Sequence, residues 1–254
     1  MLGAAPARAA APLPTAITLP PVNAGFDYQI GAAYPPPAGV TVVSRDRTAA
    51  PAAGIYNICY VNAFQAQPDE ASWWKQNHDD LLLKNSKGKY VVDSGWNEIL
   101  LDTSTAAKRT ALAGIVGGWM DGCATAGFNA VEPDNIDSYE RSQSLLTKAN
   151  AIAYLQLLAP RAHAANLAIG QKNTTELGTA GKAAGLDFAI AEQCGRYKEC
   201  GDYTSVYGTN LIDIEYTDGG FTKACTAVGA TVSVVRRDED VTAPGSSTYV
   251  YNAC

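Results

Sequence analysis

Charge is scarce in this chain. Only 17% of its 254 residues are Asp, Glu, Lys or Arg, against about 25% in an average soluble protein. The 19 basic residues are outnumbered by 25 acidic ones, for a net charge of −6. They form no stripe, which argues against a nucleic-acid partner, because phosphates are held by clustered Lys and Arg. No apolar run reaches about 18 residues, so no membrane span is expected. Histidine occurs only at His78 and His163, and no two cysteines form a C-x-x-C pair. A zinc site is therefore not expected, and no other metal or cofactor is called for. No glycine-rich phosphate turn follows the first strand-like run, so a dinucleotide-binding fold lacks its fingerprint. Against these absences stands a 47% apolar content, enough for a sizeable core and too much for a disordered chain.

The two ends read differently from the middle. Residues 1–25 open on an Ala/Pro-rich stretch without periodicity, and are expected to be a leader or signal remnant. Residues 26–254 contain no Pro/Gly/Ser linker, so one domain is expected there. The six cysteines leave many pairings open. Cys194 and Cys200 bracket a short loop and are the best local pair. Cys225 with Cys254 would tie down the chain end, which leaves Cys59 with Cys123. Bridges persist in oxidising compartments, which favours a secreted protein.

From residue 26 onward short β-rich runs alternate with helical patterns. Strands are expected at 26–31, 41–45, 56–63, 98–102, 129–135, 167–173, 188–194, 211–217 and 231–236. Helices are expected at 69–84, 104–126, 144–166, 174–184 and 220–228. This alternation means βαβ units and a parallel sheet. The later strands recur roughly every 20 residues, the rhythm of an α/β (β/α)₈ barrel of the TIM type. Nine candidates for eight places make one strand peripheral, either 98–102 or 41–45.

In such a barrel the chemistry sits where the strands end. Four consecutive strands end VEPDN, GQKN, IAEQC and DIEY, bringing Glu132, Asp134, Asn135, Lys172, Asn173, Glu192, Gln193, Glu215 and Tyr216 to one rim. A single polar ending would be ordinary helix capping; four in a row carrying several carboxylates and one lysine are a site. Glu132 and Asp134, two apart on a strand, face the same side. Pro133 between them removes a ladder donor and marks a bulge or strand end. The remaining conspicuous residues have plainer readings. Trp73 and Trp74 suit helix packing, His78 a solvated helix face and His163 a structural role, while Trp96 is placed to line the cleft. The Asn173-Thr174-Thr175 sequon is expected to stay unmodified, because a glycan there would block the mouth.

These endings, with YNICYVNAF at 56–64, NEILLD at 97–102 and GFNAVEPDN at 127–135, resemble the glycoside hydrolase family of endo-α-1,4-polygalactosaminidases. The resemblance covers nearly everything from residue 26 to about 217. The chain departs from that family at Phe26 and Tyr28, where tryptophan is usual, at Asn129, where Asp is common, and at Trp119-Met120-Asp121. The resemblance implies a secreted barrel enzyme acting on an α-linked galactosamine or N-acetylgalactosamine polysaccharide, with Asp134 as nucleophile and Glu192 as general acid/base. Glycoside hydrolysis needs such a carboxyl pair across the scissile bond, and Lys172, on an intervening strand, is placed to supply it a positive field. Glu132, Asn135, Lys172, Asn173, Gln193, Glu215, Tyr216 and Asp46 then remain for substrate binding. Spare carboxylates suit a cationic or partly acetylated polymer. A monomer is expected. Two rival readings are a glycan-binding barrel without turnover and, further off, a lyase forming a Schiff base on Lys172.

Overall fold

The computed structural model describes residues 17–254. In chain order its strands are β1 (Phe26–Gln29), β2 (Val42–Asp46), β3 (Tyr56–Asn62), β4 (Gln65–Ala66), β5 (Val92–Asp93) and β6 (Glu98–Leu100). They continue with β7 (Ala130–Asp134), β8 (Ala168–Lys172), β9 (Phe188–Glu192), β10 (Leu211–Glu215), β11 (Ser233–Arg237) and β12 (Tyr251–Ala253). The helices are α1 (Ala71–Asn77), α2 (Ala106–Ala126), α3 (Lys148–Ala164), α4 (Thr179–Ala183), α5 (Cys194–Tyr197), α6 (Cys200–Tyr207) and α7 (Asp218–Ala227).

Eight strands pair in parallel in the order β1-β2-β3-β7-β8-β9-β10-β11, the ring of a (β/α)₈ barrel. The surplus candidate is 98–102: its strand β6 belongs to a small antiparallel sheet, β4-β6-β5, inserted between β3 and α2, whereas 41–45 supplies barrel strand β2. The barrel strands are buried on both faces, which is why they read as apolar runs rather than alternations. Phe26, Val42, Ile58, Ala168, Ile190 and Ile214 fill the interior. Val61, Val131, Ile169 and Ala191 face outward against Val116 of α2 and Leu155 and Leu158 of α3.

The seam of the barrel is closed by a side chain. Strand β12 pairs antiparallel with the edge of β11. Arg237, fully buried at the end of β11, reaches across to β1: its Nη1 lies 2.7 Å from Asp27 Oδ1 and also donates to the Tyr28 carbonyl. Three disulfides add cross-links. Cys59–Cys123 ties β3 to α2, Cys194–Cys200 spans the start of α5 and α6, and Cys225–Cys254 holds the last residue to α7.

Other expectations shift at their edges. The pattern at 69–84 is helical only to Asn77, then tightens into a 3₁₀ turn at Asp79–Leu81. Helices α5 and α6 carry no amphipathic signal long enough to read, and α5 occupies the stretch read as a short loop between Cys194 and Cys200. Of the expected leader, 1–16 lies outside the described residues. The rest packs: Ile17, Leu19 and Ala24 lie against the barrel interior's lower end, and Tyr56 Oη donates to the Thr18 carbonyl at 2.7 Å.

Candidate active site

Three neighbouring strands end in the same local device. Asp134, Lys172 and Glu192 are the last residues of β7, β8 and β9, and each is followed by a residue in the left-handed region: Asn135 (φ 65°), Asn173 (φ 45°) and Gln193 (φ 64°). Asn tolerates that conformation better than most residues. The turn throws the chain outward at once, leaving the strand-terminal side chain aimed into the mouth. Thr174 is also left-handed (φ 66°), and such strained backbone is typical of functional sites. Pro133 contributes too. The β7–β8 ladder stops at Val131↔Ile169, before the residue that lacks an N–H, so the two strand ends can part around Lys172.

Lys172 is the centre of the site. Its ammonium, 1% exposed, lies 3.0 Å from Glu132 Oε1, 3.3 Å from Asp134 Oδ1 and 3.4 Å from Glu192 Oε2. It also donates to Tyr28 Oη at 2.9 Å. Burial opposes its charge, but Asp134, Glu192 and Glu132 outweigh burial and hold its pKa well above the ordinary lysine value. Each mouth carboxylate has further donors. Asp134 accepts from Tyr60 Oη at 2.8 Å and from the Asn135 amide at 2.7 Å. Glu192 accepts from Asn173 Nδ2 at 2.9 Å and from Tyr216 Oη. Burial pushes the phenols of Tyr60 and Tyr216 far up, so both serve as neutral donors. Asn173 is held at its other end as well, where its Oδ1 accepts from the Glu192 amide at 2.7 Å, so the sequon amide is fully engaged.

These groups open on a cleft of about 880 Å³. Asp134, Asn135, Lys172, Asn173, Glu192, Gln193 and Tyr216 all line it, as does Trp96. Three expected substrate contacts do not. Glu132 shares a face with Asp134 but sits one layer deeper, fully buried, accepting from Tyr28 Oη at 2.9 Å and Ser44 Oγ at 2.6 Å. Glu215 is also fully buried. It points outward from the barrel under α5, where the amides of Gly195 and Arg196 donate to it at 2.7 and 3.1 Å. Asp46 lies outside the cleft lining and closes a local turn, accepting from the Thr48 amide at 2.8 Å. A two-residue period does not tell a rim position from one a layer down, and the last residue of β10 faces outward because its neighbour Ile214 takes the interior face.

Tyr60, Asn62 and Glu98 went unassigned from sequence alone. Period two from Asn62 at the end of β3 would have found Tyr60 on the same face. Glu98 had no such signal, because it arrives from the inserted sheet. The aromatic pair Trp73 and Trp74 packs with Trp119 and His78, and His163 pairs with Asp187 at 2.9 Å. Among the described residues one compact group has metal-like spacing, Cys194, Cys200 and Asp213, and its two cysteines are joined to each other. No described helix is long and apolar enough to cross a membrane.

Comparison with known proteins bears on the fold and the family. The crystal structure of Aspergillus fumigatus Ega3 in complex with galactosamine superposes with a TM-score of 0.75 at 24% identity, covering 94% of this chain and 98% of that one. The glycoside hydrolase domain of PelA from Pseudomonas aeruginosa gives a TM-score of 0.58 at 14% identity, covering 88% and 97%. Both share the fold. No curated protein sequence matches the chain. The model of glycoside-hydrolase family GH114 matches residues 6–254, and the chain therefore belongs to that family and is a glycoside hydrolase.

Proposed function

We propose that the enzyme cleaves α-1,4-linked galactosamine or N-acetylgalactosamine polysaccharide internally, with retention, using Asp134 as nucleophile and Glu192 as general acid/base. The observation that carries this reading is the single ammonium of Lys172 bridging both carboxylates at 3.3 and 3.4 Å. Two carboxylates bridged by one cation are no further apart than those two contacts end to end, which admits the roughly 5–5.5 Å of a retaining pair. In the first step the Asp134 carboxylate attacks the anomeric carbon. The glycosidic C–O bond breaks, and protonated Glu192 gives its proton to the departing oxygen. In the second, Glu192 takes a proton from water, whose oxygen displaces Asp134. Tyr60 and the Asn135 amide orient the nucleophile, and Tyr216 and Asn173 orient the acid/base.

The galactosamine held by Ega3 supports an amino-sugar substrate. A cleft near the top of the usual range of about 300–1,000 Å³ supports internal cutting of a chain. Three disulfides support secretion, and the continuous barrel supports one catalytic domain over 26–254. A Schiff-base role for Lys172 is disfavoured, because a nucleophilic amine must shed its proton easily and this one is held charged by three carboxylates.

The test is incubation with deacetylated and acetylated α-1,4 galactosaminide polymers, with products identified by mass. Asp134→Asn and Glu192→Gln should each lower the cleavage rate by about 10³-fold or more while melting with the wild type. Full activity in either variant would sink the assignment.

A further inference from the structure

The wall of the cleft beside Asp134 is not part of the barrel. It is the inserted sheet β4-β6-β5, and it brings one carboxylate to the site from outside the strand ends. Glu98, at the start of β6, is 8% exposed and lines the cleft. Its Oε2 accepts from Asn62 Nδ2 at 2.8 Å and from Asn135 Nδ2 at 3.3 Å. Gln65, with its amide turned to satisfy both ends, adds a third donor at 2.9 Å. Its Oε1 accepts no hydrogen bond among the described residues, and it is not sealed from solvent. Among the described residues no cation forms an ion pair with this carboxylate, and Arg141 acts on it only from a distance. The nearby Arg141 is already engaged by Asp93 at 2.7 Å and by Asp137 at 2.7 Å. Glu98 is thus a mostly buried acid, fixed on one oxygen by amides, with the other oxygen open to the cleft and like charges around it.

Two further observations point to a ligand there. Trp96, two residues back on the same hairpin, lines the same wall with 60% of its surface exposed. An exposed indole beside a fixed carboxylate is the pairing that holds a sugar ring by one face and its amine by charge. Second, Asn135 joins the two centres, since its side chain reaches Glu98 while its backbone amide reaches Asp134. Round the mouth the order runs Glu98, Asp134, Lys172, Glu192, so Glu98 and the acid/base flank the nucleophile on opposite sides.

We propose that Glu98, with Trp96, determines specificity by taking the ammonium of an unacetylated amino sugar on the side of Asp134 away from the leaving group. This rests on the substrate class proposed above. Burial, with Asp134 and Asp93, outweighs the Asn62 hydrogen bond and the more distant Arg141 and pushes the Glu98 carboxyl up to about 7, so an incoming ammonium supplies a counter-charge in direct contact. An acetylated unit has no charge to offer and leaves the carboxylate uncompensated.

The experiment compares kcat/KM on fully deacetylated and fully acetylated polymer for wild type and Glu98→Gln. The substitution keeps the side chain's size and removes its charge. It should reduce the deacetylated-to-acetylated ratio by about tenfold or more, the worth of one charge-assisted contact. Loss in equal proportion on both polymers would overturn the proposal. Should Glu98→Gln fold poorly, Trp96→Lys tests the same point from an exposed position, by placing a cation beside the carboxylate. It must also lower the ratio, and an unchanged or raised ratio counts against the proposal. Wild type releasing product from neither polymer would instead defeat the proposed substrate class, and the two failures are distinguishable.

Discussion

Two acid pairs stand on neighbouring strands of this barrel and do opposite things. Asp134 and Glu192 face the mouth with the Lys172 ammonium between them. Asp213 and Glu215, both on β10, face outward beneath α5 and are fully buried. Asp213 Oδ1 accepts from the Cys194 amide at 3.1 Å, and Glu215 Oε1 accepts from the Gly195 and Arg196 amides. Their remaining oxygens, Oδ2 and Oε2, are buried without another partner, and neither acid forms an ion pair among the described residues. Burial first, and then Glu215, raises the Asp213 pKa; burial raises that of Glu215. The outward pair is therefore tied to backbone amides and pushed toward its protonated form by burial, while the mouth pair is held by a cation. The amides of Cys194, Gly195 and Arg196, which donate to the outward pair, hold the loop after Glu192 in place. The cation holds the two mouth carboxylates side by side on the cleft.

Removing the cation should break the contrast most sharply. Lys172→Met leaves Glu132 buried with its countercharge gone, and breaking a buried pair typically costs about 3–5 kcal/mol. Cleavage should disappear and the melting temperature should fall. Adding Glu132→Gln should recover part of the stability and none of the activity. Recovery of activity in the double variant would show that Lys172 serves only to neutralise Glu132.

The outward pair predicts a smaller effect of opposite sign. An acid whose folded pKa lies above its unfolded value near 3.9 keeps a proton that the unfolded chain gives up. Stability is then lost as pH rises from the unfolded value toward the folded one. Asp213→Asn, whose amide can donate to Glu215 in place of that proton, should be near neutral at pH 3. It should stabilise by about 1 kcal/mol or more at pH 7, roughly 2–4 °C. Melting curves across pH check this; a gain equal at both ends of the range would refute a raised Asp213 pKa.

The finest distinction concerns orientation within the mouth pair. Tyr216→Phe removes one phenol donor from Glu192 and leaves its other contacts intact. We expect kcat to fall by about tenfold with a shift in the pH–rate profile and little change in melting. An unaltered profile would make Tyr216 a packing residue.

Much of this arrangement was legible before any coordinates. Apolar runs between turn residues marked all eight barrel strands, because a strand buried on both faces is mostly apolar and admits charge only where it is paired or hydrogen-bonded, as Arg237 and Glu132 are. The charges that interrupt those runs at Asp134, Lys172 and Glu192 marked the rim for the same reason. The resemblance through VEPDN and GQKN added the family. Depth was another matter. Glu132 and Glu215 carry the same side chain as Glu192 and also stand at or near a strand end, yet one lies a layer below the mouth and the other faces α5.

The sequence by itself determined the repeat of strand and helix, and with it the convergence of four strand ends on one rim. Burying apolar runs on both faces leaves little alternative. Only the tertiary structure decided which carboxylates share the cation, which are buried under α5 and which, like Glu98, line the cleft without an ion pair among the described residues. That choice depends on distances of a few ångströms between residues far apart in the chain. Strand tilt, the left-handed turns at Asn135, Asn173 and Gln193, and an inserted sheet set those distances together. Coulomb energies change steeply over that range in a low-dielectric interior.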